Sequence, residues 1–196
     1  MIKKINVILV LTSIICSLNI AFTKESSLVF ILKDISIILT INALYIARKL
    51  FKWNISDGIN LIYIIFIFMS HFLGVICNFY GKIFWFDKFT HFLSGIVAAF
   101  GAIFFLVKCK KNNNIMFSII FIISFTLMTA SLWEFFEYLS SILFNVDPQR
   151  VVATGVSDTM DDMIVAFLGS ILVSISYLYE YKSNVNMIIK KFVKEL

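Results

Sequence analysis

Asp87 and His91 stand one helical turn apart at the mouth of a long apolar stretch, within Trp85-Phe86-Asp87-Lys88-Phe89-Thr90-His91-Phe92-Leu93-Ser94-Gly95. On a helix, residues at that spacing share a face. Glu134 and Glu137 follow at i,i+3, and Asp158 and Asp162 at i,i+4 if their helix begins early enough; His71 stands alone inside another apolar run. Ionisable side chains are costly within a bilayer, so each marks a functional site by default.

Two carboxylates a turn apart in a low-dielectric site cannot both stay ionised cheaply, because burial and mutual repulsion both oppose the charge. A divalent metal, shared protons, or His and Lys partners can compensate them. Carboxylate oxygens with imidazole and no thiolate suit Zn, Mn or Fe, and tolerate Mg where histidine is not a direct ligand. The expected cofactor is therefore a divalent metal, with His71, His91, Glu134, Glu137, Asp158 and Asp162 as ligands. Glu134, Glu137 and Asp87 are the expected catalytic groups. One carboxylate would serve as general base, and Asp87 would orient His91.

The elements that carry these residues are membrane spans. A chain of 196 residues that is 60% hydrophobic, with one proline and twenty-two phenylalanines, is no soluble domain. The fold class expected is all-α, an integral membrane bundle of six transmembrane helices. The spans predicted are 5–22, 28–47, 59–79, 86–107, 115–144 and 161–181, followed by a basic amphipathic tail over 182–196. Lys33 and Asp34 interrupt the second. Residues 145–159, with Pro148 and Gly155, read as a loop. Ser94, Gly95, Ala98, Gly101 and Ala102 would let another helix approach the fourth span closely. On the fifth, Ala130, Glu134, Glu137 and Ser141 form one polar or small stripe, directing both glutamates inward.

Net charge is +5, and the lysines and arginines gather at the ends of apolar runs. Lys3, Lys4, Arg48, Lys49, Lys52, Lys108, Lys110, Lys111, Lys182, Lys190, Lys191 and Lys194 fall on one side of the predicted topology. Only Lys24, Lys82, Lys88 and Arg150 fall on the other. This asymmetry puts both termini in the cytoplasm and the acidic and His residues in the outer half of the membrane. Cys16, Cys77 and Cys109 have no paired spacing, so neither a disulfide framework nor a thiolate metal site is expected. No nucleic-acid partner is indicated and no Gly-rich phosphate loop is present.

His71-Phe72-Leu73-Gly74, Phe86-Asp87-Lys88-Phe89-Thr90-His91-Phe92 with Gly95, Glu134-Phe135-Phe136-Glu137, and Asp158-Thr159-Met160-Asp161-Asp162-Met163 with Gly155 and Gly169 resemble the YjdF-like family of bacterial inner-membrane proteins. The resemblance covers 59–176 and implies a multi-pass bacterial plasma-membrane protein, without supplying a reaction. Asp162, rather than Asp161, matches the second Asp of the pattern. A more distant similarity links the order of acidic motifs to VanZ-like proteins of the cell envelope. The function expected first is a metal-dependent enzyme acting on a lipid or lipid-linked envelope substrate. The alternatives are an ion- or proton-coupled transporter, and a non-catalytic envelope protein whose polar network holds helices together.

Overall fold

Apolar runs that must satisfy their own backbone hydrogen bonds in lipid become helices. The computed structural model describes residues 28–52 and 57–196, together with positions 11, 14 and 18, and no strand occurs among the described residues. The helices are α1 (Leu28–Phe51), α2 (Asp57–Ile67), a π-helix (Phe68–Ile76), α3 (Phe79–Lys82), α4 (Phe86–Lys108), α5 (Ile115–Phe144), α6 (Val151–Thr154), α7 (Ser157–Ser183) and α8 (Ile188–Glu195). Among the described residues four stretches are long and apolar enough to cross a membrane: Gly58–Ile76, Phe86–Lys108, Ile115–Phe144 and Ser157–Ser183. The predicted first span, 5–22, lies outside the described residues apart from Leu11, Ile14 and Leu18, each helical. The predicted second span falls within α1.

Several boundaries differ from those expected. The third span stops at Ile76 rather than 79, because Asn78 turns left-handed (φ 57°, ψ 40°) and the chain restarts in the short α3. The segment 145–159 is not all loop. Asp147 accepts the backbone N–H groups of Val151 and Val152 at 2.8 and 3.1 Å, which fixes the single turn of α6. The sixth predicted span begins at Ser157 instead of 161, so Asp158 and Asp162 do lie on one helix.

The chain divides into two compact units at Phe84 and Trp85. In the first, Ile41 and Ile67 form a small core with Tyr63, Phe66 and Ile76, and the Tyr63 hydroxyl donates to the Thr40 carbonyl. The π-helix holds His71, whose Nδ1 lies 3.0 Å from Ser70 Oγ. The Tyr80 ring packs directly over Gly74, where a Cβ would sit 2.3 Å from it and would have to push the ring aside.

The second unit is built on α4, α5 and α7. Helices α4 and α7 run side by side with their backbones nearly touching. A Cβ on Gly95 would lie 2.1 Å from the Ala166 carbonyl oxygen, and one on Gly169 would lie 2.4 Å from the Phe92 carbonyl oxygen. Small residues at a crossing replace the missing hydrophobic drive in lipid with close van der Waals packing. Gly95, Ala99 and Ala102 of α4 are buried, as are Ala166, Gly169, Ser170, Val173 and Ser174 of α7.

Helix α5 runs back antiparallel to α4 and α7 and packs against both, its start near Tyr177 and its Glu134 near Thr159. Its 30 residues span ~45 Å at 1.5 Å per residue, more than the ~30 Å of hydrocarbon. At its start Asn114 caps the helix through Phe117 N–H (3.0 Å). Ser118 Oγ there meets the Tyr177 hydroxyl at 3.3 Å. At the same end of the unit, the tail turns back as α8. The buried Glu180 carboxylate accepts the backbone N–H groups of Met187, Ile189 and Lys190 at 3.2, 2.9 and 2.8 Å. An anion at a helix N-terminus satisfies donors that have no partner within the helix. Ile189 and Phe192 are buried, and Phe192 meets the Phe100 ring edge to face. The apolar side of the tail is therefore covered by protein.

Candidate functional site

The face of α4 that meets α7 continues from Ala102, Ala99 and Gly95 through His91 to Lys88. The facing stripe of α7 continues from Gly169 and Ala166 through Asp162 to Asp158. Because the helices touch at the glycines, the charged residues one to three turns beyond them are forced together. Lys88 Nζ donates to Asp158 Oδ1 at 2.6 Å, to Asp162 Oδ1 at 2.8 Å and to the Asp158 carbonyl oxygen at 3.2 Å. Asp87 Oδ2 lies 3.5 Å from the same ammonium and 4.0 Å from the Arg150 guanidinium. Asp158 and Asp162 are only 6% and 3% exposed, whereas Lys88 is 26% exposed. The ammonium thus enters the cluster from its more open side.

His91 completes the group. Its Nε2 lies 3.8 Å from Asp87 Oδ1 and 3.7 Å from Asp162 Oδ1. Neither separation is a hydrogen bond, so Asp87 does not orient the ring as expected from the sequence. Instead Asp87, His91 and Asp162 present one donor atom each, all within 4.8 Å of one another. That spacing and donor set suit a single divalent ion shared by two carboxylates and an imidazole. Asp87 and Asp158 both sit in the first turn of their helices, where the macrodipole favours negative charge.

The remaining expected residues hold different positions. Asp158 borders the trio but is committed to Lys88 through Oδ1; its other oxygen, Oδ2, is buried without a hydrogen-bond partner. Glu134 is buried, and its Oε2 accepts from Gln149 Nε2 at 3.0 Å. Gln149 also donates to the Glu134 carbonyl oxygen at 3.3 Å, which pins the 145–150 segment against α5. Glu137, half-buried, accepts from the Trp133 indole at 2.8 Å. Trp133 thereby holds a site carboxylate rather than serving only an aromatic belt at the membrane interface. Glu134 interacts electrostatically with Asp158 and Lys88, and Glu137 with Glu134, Asp87 and Asp158. His71 belongs to the first compact unit, beside Ser70. Asp161 is exposed and Asp162 buried, the distinction the sequence pattern draws.

Lys88 is the residue of the charged cluster that the sequence presents at first only as a topological charge. The signal was present. Lys88, His91 and Gly95 are spaced i, i+3, i+7, so the lysine lies on the same small-residue stripe that brings α7 close. Gln149 had no such signal, because its place depends on how the loop folds.

The helical architecture, with several helices able to cross a membrane and a charged cluster where three of them meet, defines a polytopic membrane protein. Residues 5–183 match the model of DUF2238, a family described as predicted membrane proteins, and the chain belongs to that family. It is also similar to an uncharacterized protein of Thermotoga maritima, at 26% identity over 128 residues. The chain spans 64% of that relative's length, and the match covers 64% of this chain. No solved structure matches.

Proposed function

We propose that this is a bacterial plasma-membrane protein that binds one divalent cation through Asp87, His91 and Asp162 and uses it on a lipid or lipid-linked substrate. The observation that carries the reading is the convergence of these three donor atoms within 4.8 Å at the junction of α4 and α7. Charge supports it. Among the described residues, Asp87, Asp158, Asp162, Glu134 and Glu137 share two basic side chains, Lys88 and Arg150. Carboxyl groups in such excess require cations or protons.

A bound divalent ion would supply Lewis acidity and an activated water. The chain's own residues divide the other tasks. Lys88 holds both Asp158 and Asp162 in place beside His91. Glu137, steadied by Trp133, is placed to accept a proton. The basic residues at the opposite end of this unit, Lys108, Lys110, Lys111, Lys182, Lys190, Lys191 and Lys194, support a cytoplasmic placement of that end and an outward-facing site. The resemblance to YjdF-like inner-membrane proteins, and the more distant one to VanZ-like envelope proteins, supports the same location.

A second reading, a structural network without a metal, is favoured by the two short Lys88 ion pairs. Elemental analysis of protein purified without chelators separates the two. The metal reading expects about one equivalent of a transition metal per chain, lost in His91→Ala and Asp162→Asn variants that remain folded. A metal-free wild type that stays empty after incubation with Zn, Mn or Fe salts leaves only the structural network.

A further inference from the structure

Beside the charged cluster, α5, α7 and the loop before α6 enclose a groove of about 350 Å³, within the range of small-ligand sites. Its inner end is polar. Glu134 and Gln149, 5% and 8% exposed, meet there with the Thr159 hydroxyl, which also bonds to Glu134. Its outer wall is apolar, formed by Phe135, Tyr138 and Met163. Phe135 and Tyr138 are largely exposed. Both bounding helices are long and apolar enough to span a membrane, and the exposed rings of the outer wall suit contact with an acyl chain.

One further observation decides the chemistry of the occupant. Among the described residues no lysine or arginine lines the groove, so the buried Glu134 carboxylate forms its inner end with no cation in the wall, and Lys88 acts on it only from the neighbouring charged cluster. A primary ammonium carries three donors and a positive charge, matching that carboxylate.

We propose that this groove seats a membrane lipid with a primary-amine head, of the phosphatidylethanolamine class, with its ammonium on Glu134 and one acyl chain along Phe135 and Met163. The inference rests on the lipid-substrate part of the proposed function and names the substrate's chemistry. It does not depend on the metal. An anionic head without an amine would meet the Glu134 carboxylate unfavourably. A choline head carries charge but cannot donate an N–H hydrogen bond.

The test is native mass spectrometry of the full chain released from nanodiscs of phosphatidylcholine doped with either phosphatidylethanolamine or phosphatidylglycerol. Wild type is expected to retain phosphatidylethanolamine about tenfold over either other lipid, as a charge-assisted hydrogen bond to a buried carboxylate implies. Glu134→Gln should erase the preference among lipids, and Met163→Trp should abolish retention by filling the groove. Equal retention of the three lipids by wild type overturns the proposal. So does undiminished preference in Glu134→Gln, or undiminished retention in Met163→Trp. If Glu134→Gln does not fold, the wild-type comparison and Met163→Trp still decide. Metal content measured on the same samples keeps the two readings apart. Amine-lipid selectivity in a protein that takes up no metal removes the metal reading alone, and a metal-loaded protein with no selectivity removes this one alone.

Discussion

Replacing Lys88 with Met keeps most of the side-chain volume and removes the one charge bonded to both Asp158 and Asp162. These aspartates are 6% and 3% exposed, and their Lys88 contacts are 2.6 and 2.8 Å. Breaking a fully buried ion pair by deleting one partner costs ~3–5 kcal/mol. Lys88 is 26% exposed, and water reaching the vacated space will solvate part of the charge, so a loss of about 2–4 kcal/mol is expected. The assay is thermal unfolding of purified protein in detergent, followed by tryptophan fluorescence, with chelator and with added Mn or Zn. In chelator, Lys88→Met should unfold at clearly lower temperature than wild type. Added metal should restore more stability to the variant than it adds to wild type, because a second cation then replaces the one removed. The double variant Lys88→Met with Asp162→Asn should recover part of the loss in chelator and respond little to metal. Unchanged stability of Lys88→Met in chelator would refute the claim that this lysine neutralises the cluster. A variant that is destabilised but indifferent to metal would refute the claim that metal and lysine share the same carboxylates.

Two other perturbations probe the elements that place the site. Gly95→Ala would put a methyl carbon 2.1 Å from the Ala166 carbonyl oxygen, so α4 and α7 must separate by ~1 Å or more at a cost near 3 kcal/mol, the upper part of the range for overpacking. The expected result is a lower unfolding temperature together with weaker metal retention; full retention with normal stability would show that the helices do not touch there. Glu180→Ala removes the carboxylate that accepts three N–H groups at the start of α8 and should cost about 1–2 kcal/mol, in the range of a lost helix cap. Hydrogen exchange should speed up at Ile189 and Lys190 while the α4 amides stay protected. Unchanged exchange at those two amides would contradict the capping role.

Periodicity and end signals made the long helices legible. Helix α5 keeps the predicted limits of 115 and 144 because Asn114 caps its start and Asn145 (φ 53°) ends it with a left-handed residue. The Gly95 stripe was readable as a close-packing face, and Asp162 was separable from Asp161 by the motif it matches in the resemblance to YjdF-like proteins. The partners of these residues were not readable. Lys88 lies in the quoted motif, yet its two aspartates are 70 and 74 residues away, and only the α4–α7 contact joins them. Glu180 was hidden for a related reason. A carboxylate in the last turn of a span resembles solvated charge until α8 folds back onto it. The π-helical turns around His71 also left no mark in the sequence, since a π register uses the same apolar residues as an α register.

The central claim is that Asp87, His91 and Asp162 hold one metal ion, and X-ray absorption at the edge of the bound metal tests it most directly. Zn-loaded wild type is predicted to show a first shell of oxygens with one imidazole nitrogen at ~2.0–2.1 Å, and His91→Ala should lose the imidazole scattering alone. A spectrum of hydrated metal without imidazole in wild type, or one identical in wild type and His91→Ala, would contradict it.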